Sequence, residues 1–336
     1  MKRIFTLYFF ALFCLISQAQ EELYERVYVH TDKTCYLAGE EVWIKFYTTD
    51  THFQPSFFSK VGYVEISNAE RPQAQLKLAL DNGSGSGKIK IPADAPSGIY
   101  ELSGYTQYMR NEGEKIFFRK QIAIINTFRI AESDPITLAD STETYPKEVP
   151  AMNGNIRINT SRASYSMRQP VELTINGLPE EVSDLIVSVS RNDSLVILPH
   201  HEESVWRQQV TSTPGTFSGQ WVPEYEGHII RGQIQTPEGE TLKQIQNKHV
   251  SADIAFVGKD IRYVQGQVDV EGNARFYTSN IFGINDIVAA AWGANGESYQ
   301  MNILSPFCEN LPKNLPQLKL YRNKKRLLER SIGIQL

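Results

Sequence analysis

Four stretches of the chain hold residue types that can do chemistry. His200-His201-Glu202-Glu203 offers two imidazoles and two carboxylates, the donors that zinc takes when they converge. Neighbours on an extended segment point in opposite directions, so a solvated loop is expected there. Asn82-Gly83-Ser84-Gly85-Ser86-Gly87-Lys88 has the composition of a phosphate-cradling loop. That loop needs Gly, four residues, then Gly-Lys-Ser/Thr ahead of a helix. Asn82 occupies the first position, Ile89 the last, and no helical period follows, so the stretch reads as a flexible hairpin. The same glycines approach the Gly-x-Ser-x-Gly nucleophile elbow only in shifted register and again lack the helix. Cys35 and His30 could pair as thiol and imidazole, but Asp32-Lys33 between them is turn chemistry. His30, His52, His228 and His249 each stand alone and are expected at strand ends or on the surface. No residue is assigned as catalytic, cofactor-binding or metal-ligating, no cofactor is expected, and the chain reads as a non-enzyme.

Two surface features remain. Trp43, Tyr47, Tyr105, Tyr108, Phe117 and Phe118 could line a platform for a glycan or peptide, but aromatic residues are common on half-buried strands, and core packing is the expectation. The segment from Lys319 onward holds six basic residues against Glu329 alone, a net of +5 in a chain of net charge −4. The rest of the chain is therefore acidic and gives no reason to expect nucleic acid. The basic tail reads as a solvated helix.

These residues must be positioned by strands. Val27 and Val29 alternate with Tyr28 and His30, and Val42, Ile44 and Phe46 alternate with Trp43, Lys45 and Tyr47. Period-two segments recur at 62–67, 75–80, 88–91, 98–104 and 117–125, separated by Gly, Pro, Asn and Asp clusters. Further strands are expected at 155–160, 170–175, 184–190, 227–234, 250–257, 263–270, 274–278, 286–292 and 299–304. Asp269-Val270-Glu271-Gly272-Asn273 is expected to be a hairpin turn, and 198–219 a long irregular loop. The only helical expectation after the leader is 315–332. The fold class is all-β: tandem antiparallel β-sandwiches with a short C-terminal helix or tail.

Lys2 and Arg3 precede an apolar run from Ile4 to Ile16 that is too short to span a bilayer, and small residues follow at Ser17 and Ala19. This is the pattern of a secretory signal peptide. Phe13 before Cys14 is too large for a lipidation signal. The division expected is a signal peptide at 1–19, a sandwich at 20–130, a linker at 131–150, a second sandwich at 151–222, a third at 223–312 and a basic tail at 313–336. The three cysteines, Cys14, Cys35 and Cys308, do not make a disulfide framework, and the latter two are expected as free thiols.

VYVHTDKTCYLAGEEVWIKFY, residues 27–47, resembles the opening of the second macroglobulin-like domain of the alpha-2-macroglobulins, with Thr31-Asp32-Lys33, Tyr36 and Gly39 in order. Gly87, Ile91-Pro92 and Pro96-Ser97-Gly98-Ile99-Tyr100-Glu101-Leu102 continue the likeness over roughly residues 24–126. The chain also resembles a group of exported bacterial proteins that carry this domain ahead of a TonB-dependent receptor plug. Tyr105 to Asn111, Phe117 to Lys120 and 327–335 carry that likeness. His228-Ile229-Ile230-Arg231-Gly232 is similar to carboxypeptidase-regulatory-like modules. The resemblance implies an immunoglobulin-like sandwich protein of the periplasm or outer membrane of a Gram-negative bacterium, acting as a spacer or docking module. It implies an envelope partner, of the TonB-dependent receptor type. An endopeptidase-binding or inhibitory module is the alternative. The thioester sequence Cys-Gly-Glu-Gln of the macroglobulins is not present, since Tyr36 follows Cys35 and Glu309 follows Cys308.

Overall fold

The structure, a computed structural model, describes residues 24–128, 136–139, 156–178, 180, 185–189, 216–235, 250–258, 261–308, 311–321 and 324–335. Strands dominate it, as the alternation of side chains dictates, and most pair antiparallel; Cys35–Leu37 pairs with Ala123–Ile125, and Leu318–Tyr321 with Ile136–Ala139, in parallel.

The first unit is a sandwich. Its strands are β1 (Arg26–Thr31), β2 (Cys35–Leu37), β3 (Glu41–Thr49), β4 (Val61–Ser67), β5 (Pro72–Ala79), β6 (Ser84–Lys90), β7 (Gly98–Tyr105) and β8 (Phe118–Ile125). One sheet has the order β1-β3-β6 and the other β2-β8-β7-β4-β5. Val27, Val29, Val42, Ile44 and Phe46 point into the core, while Trp43 is exposed. The core continues through Val64, Ile66, Leu78, Leu102 and Ile122 from the facing sheet. Every residue of β4 is buried, so its second face is covered too.

The glycine-rich stretch is strand, not a flexible hairpin. From Ser84 to Lys90 it pairs with β3 in register Ile44↔Gly87 and Phe46↔Gly85. A Cβ on Gly87 would stand 2.3 Å from Leu78 Cδ2, and one on Gly85 would stand 2.5 Å from the Ala79 carbonyl oxygen. Glycine lets β6 close over the edge strand β5.

Four residues inside the expected linker form β9 (Ile136–Ala139). Within 151–222 the described strands are β10 (Arg157–Thr160) and β11 (Leu173–Asn176), an antiparallel hairpin whose residues are almost all exposed. Residues 185–189 form no strand, contrary to the expectation from their alternation: Leu185, Val187 and Val189 are exposed and join none of the buried clusters.

The third unit comprises β12 (Ile229–Gln235), β13 (Val250–Val257), β14 (Arg262–Gln265), β15 (Gln267–Val268), β16 (Asn273–Tyr277), β17 (Asp286–Gly293) and β18 (Ser298–Ile303). Their order is β14-β13-β17-β18-β12-β16-β15. The segment expected as one strand at 263–270 is interrupted at Gly266. Its first half pairs with β13 and its second with β16, so one bent strand joins both ends of the sheet into a near-barrel. A Cβ at Gly266 would stand 2.5 Å from the Phe276 ring, and the Gly266 N–H donates to Ala252 at 2.7 Å. Ile230, Ile234, Ile254, Phe256 and Phe276 fill the interior. The expected turn is present, with Asp269 Oδ1 accepting the Glu271 and Asn273 N–H groups and Gly272 at φ +85°.

The basic tail opens as a strand, β19 (Leu318–Tyr321), which pairs in parallel with β9, and only then becomes the helix α1 (Lys324–Gln335). It is not a solvated helix. Leu318, Leu320 and Leu327 pack with Leu37, Ile99, Ala123 and Ile125 in a third core outside the sandwich.

Candidate functional site

The motif Thr31-Asp32-Lys33…Tyr36…Gly39-Glu40 is a clasp. The Tyr36 hydroxyl donates to Asp32 Oδ1 at 2.8 Å, and Asp32 Oδ1 also accepts the Trp43 N–H at 3.1 Å. Lys33 Nζ reaches Glu40 Oε2 at 2.7 Å, and the Leu37 N–H donates to the same oxygen at 3.0 Å. Gly39 sits at φ +92°, a conformation that favours glycine. Arg330 then arrives from α1, donating to Glu40 and to the Cys35 carbonyl. Burial alone would raise the Glu40 carboxyl; hydrogen bonds from Lys33 and Arg330 and the Arg330 charge outweigh it and hold the group below its ordinary value.

The aromatic set is mostly interior, the core packing expected of it. Tyr105, Phe117 and Phe118 are buried, while Trp43 is exposed. Tyr63 stacks on Tyr105 at 5.5 Å, and Tyr105 on Phe117 at 4.4 Å, forming a ladder on the outer face of the five-stranded sheet. Phe307 meets Tyr63 edge-on at 5.8 Å.

Two distant segments cover this ladder and join the units. Tyr63 donates to both oxygens of Glu224 at 2.9 Å, and His228 Nδ1 lies 3.0 Å from Glu224 Oε1. The Cys308 N–H donates to Glu65 Oε1 at 2.9 Å, and the Tyr105 hydroxyl donates to that oxygen at 2.6 Å. The Cys308 thiol donates to Glu114 at 2.8 Å. Cys35 and Cys308 are not joined in a disulfide, as expected. Burial, then the Glu224 charge, pushes the Tyr63 phenol far above its ordinary value. His228 stands at a strand end, directly before β12, as expected, and there it faces the interface between the units.

Beside this junction lies a cleft of about 1010 Å³ between the first sandwich and the near-barrel. Lys45, Lys60 and Lys77 line the sandwich wall, and Phe282 and Glu226 lie across from them. Lys77 keeps exposed surface but stands in a concave wall, and this desolvation lowers its ammonium pKa despite the opposing Glu224 charge. A basic wall facing an exposed Phe282 suits an extended segment that is acidic and partly apolar. Sequence reading missed this cleft, since its three lysines lie on separate segments with no shared motif.

His200, His201, Glu202, Glu203 and His249 lie outside the described residues. Among the described residues no three His, Cys, Asp or Glu side chains are grouped to hold a metal ion, and no helix is long and apolar enough to cross a membrane.

No protein-family model matches the chain, and no curated protein matches it. Among solved structures it is similar to a mutant alpha-2-macroglobulin from Salmonella, at 10% identity and TM-score 0.25, over 88% of this chain and 14% of that one. Native Escherichia coli alpha-2-macroglobulin is similar at 9% identity and TM-score 0.26, over 84% and 14%. Dimeric latent PorU from Porphyromonas gingivalis is similar at 11% identity and TM-score 0.22, over 88% and 34%. The chain thus spans a small part of the length of each, and at these scores the likeness carries no functional inference.

Proposed function

We propose that the chain is a non-catalytic docking module of a Gram-negative cell envelope, engaging an outer-membrane partner of the TonB-dependent receptor type. The carrying observation is the lysine-walled cleft held open between two β units by the Tyr63–Glu224–His228 and Glu65–Tyr105–Cys308 junctions. Buried carboxylates behind the cleft are engaged in joining segments, so the concave surface is presented on a fixed frame. The leader expected at residues 1–19 and the sequence resemblance support an envelope location for that frame.

The test places a photo-crosslinking residue at Phe282 in the full chain, expressed in its native host. A cross-link to an outer-membrane receptor, lost when Lys45→Glu and Lys77→Glu are combined, supports docking. A denaturation-resistant complex with an endopeptidase, unaffected by those substitutions, overturns it in favour of an inhibitory module.

A further inference from the structure

The outer face of the three-stranded sheet carries aromatic rings and ammonium groups in pairs. Val42, Ile44 and Phe46 turn into the sandwich core, so Trp43, Lys45 and Tyr47 share the opposite face of β3. Lys88 stands directly opposite Trp43 in the β3–β6 register, and Lys90 opposite Glu41. Lys88 Nζ lies 5.7 Å from the Trp43 ring centroid, and Lys45 Nζ lies 5.1 Å from that of Tyr47. Each ring thus has a cation held beside it. The two pairs are centred on rings four residues apart along β3, about 13 Å in an extended strand.

Both rings can be reached from solvent. Trp43 is 59% exposed with Lys88 in place, and Tyr47 is half-buried. Ser84 and Ser86 stand opposite Tyr47 and Lys45, and their small side chains leave the face open between the pairs. The face is basic although the chain has a net charge of −4: Lys45, Lys88 and Lys90 stand against Glu41. Asp32, at the margin beyond Trp43, belongs to the clasp, where its Oδ1 accepts the Tyr36 hydroxyl and the Trp43 N–H. Glu41 meets Lys88 at 2.9 Å, but both side chains are exposed, and such a pair holds weakly. Lys45 donates to the Ser84 hydroxyl at 3.1 Å. An ammonium carries three donors, so neither contact exhausts its lysine.

We propose that this face binds an acidic glycan, a chain of carboxylate-bearing pyranoses. The C–H face of a sugar ring lies flat on an aromatic ring, and its carboxylate meets the ammonium beside that ring. Two such pairs along one strand suit a polymer that repeats both groups. An acidic peptide offers the charge without the flat ring, and a neutral glycan offers the ring without the charge. Trp43, Tyr47 and Lys88 do not line the lysine-walled cleft, although Lys45 does, so the platform adjoins the docking surface without depending on it.

The experiment is calorimetry on the whole purified chain. The probes are hexamers of galacturonate, mannuronate and guluronate, the methyl ester of whichever of them binds, and hexaglutamate. An acid hexamer binds, and rising salt weakens it. The methyl ester, which keeps the rings and loses the charge, binds about tenfold more weakly, and so does hexaglutamate. Trp43→Ala weakens the acid hexamer about tenfold, as the loss of an anchoring ring should. Lys88→Gln narrows the gap between acid and ester. Both positions are exposed, so the melting temperature of each variant stays near that of the wild type. If Trp43→Ala melts lower, Lys88→Gln alone decides. The Phe282 cross-link to an outer-membrane receptor persists in Trp43→Ala, so failure of the docking reading and failure of this one are told apart. No binding by any acid hexamer, hexaglutamate as tight as the acid hexamers, or wild-type affinity in both variants each overturn the assignment.

Discussion

Arg330 Nη2 lies 3.2 Å from Glu40 Oε2, joining the last helix to the first hairpin across 290 residues of sequence. Both side chains are close to buried, so the pair is little screened by water. The same carboxylate oxygen holds Lys33 at 2.7 Å. Arg330→Gln should therefore release α1 and cost about 1–3 kcal/mol. Because the folded Glu40 carboxyl titrates below its unfolded value, its contribution is complete above about pH 4.3 and is lost as pH falls through the lower folded value. Hydrogen exchange of α1 checks this: the helix should open on acidification in the wild type, while Glu40→Gln should already be open at pH 7.

Glu25 behaves in the opposite sense. It is fully buried and accepts from Ser56 at 2.6 Å, Ser59 at 2.7 Å and Thr106 at 2.6 Å. Desolvation outweighs these hydroxyls and raises its carboxyl. The folded state then holds the proton more tightly than the unfolded chain, so stability falls as pH rises from about 4.3 to the folded value and is level above it. Glu25→Gln keeps partners for the three hydroxyls and removes that decline. Its melting temperature should exceed the wild type's by a few degrees at pH 7 and converge with it near pH 4. A variant that melts lower at pH 7 with the pH slope intact would refute this account.

Gly104 tests the packing between the two sheets of the sandwich. A Cβ there would lie 2.4 Å from Val29 Cγ2 and 3.5 Å from the Phe46 ring. Gly104→Ala should cost about 1–3 kcal/mol by overpacking. Combining it with Val29→Ala should recover part of the loss relative to the sum of the single changes, as denaturant unfolding would measure. Additive losses would show that the two positions are not in steric conflict.

Much of the strand content was legible because burial follows alternation. Val42, Ile44 and Phe46 read as sharing one face, and that face is the inward one; the Asp269–Asn273 turn lies where its residue types place it. The clasp was legible as a motif but not as a contact, since Arg330 carries no mark of its partner. The glycine-rich stretch misled in the opposite direction: glycine signals permissive backbone, and only the neighbouring Leu78 shows that space rather than flexibility is the requirement. Leu185 and Val187 alternate as strand residues do, yet no facing sheet receives them among the described residues. The cleft could not be read in advance, since Lys45, Lys60 and Lys77 lie on separate segments.

The small core around Leu37, Ile99 and Ala123 is sealed by Leu318, Leu320 and Leu327. A chain that emerges from its amino end, on the ribosome or through a translocon, must hold these apolar groups uncapped while some two hundred residues follow. Maturation of the leading unit is thus timed by the arrival of the trailing one. A truncated product lacking that closing piece would show an oily flank to the proteases and chaperones that patrol for unfinished proteins.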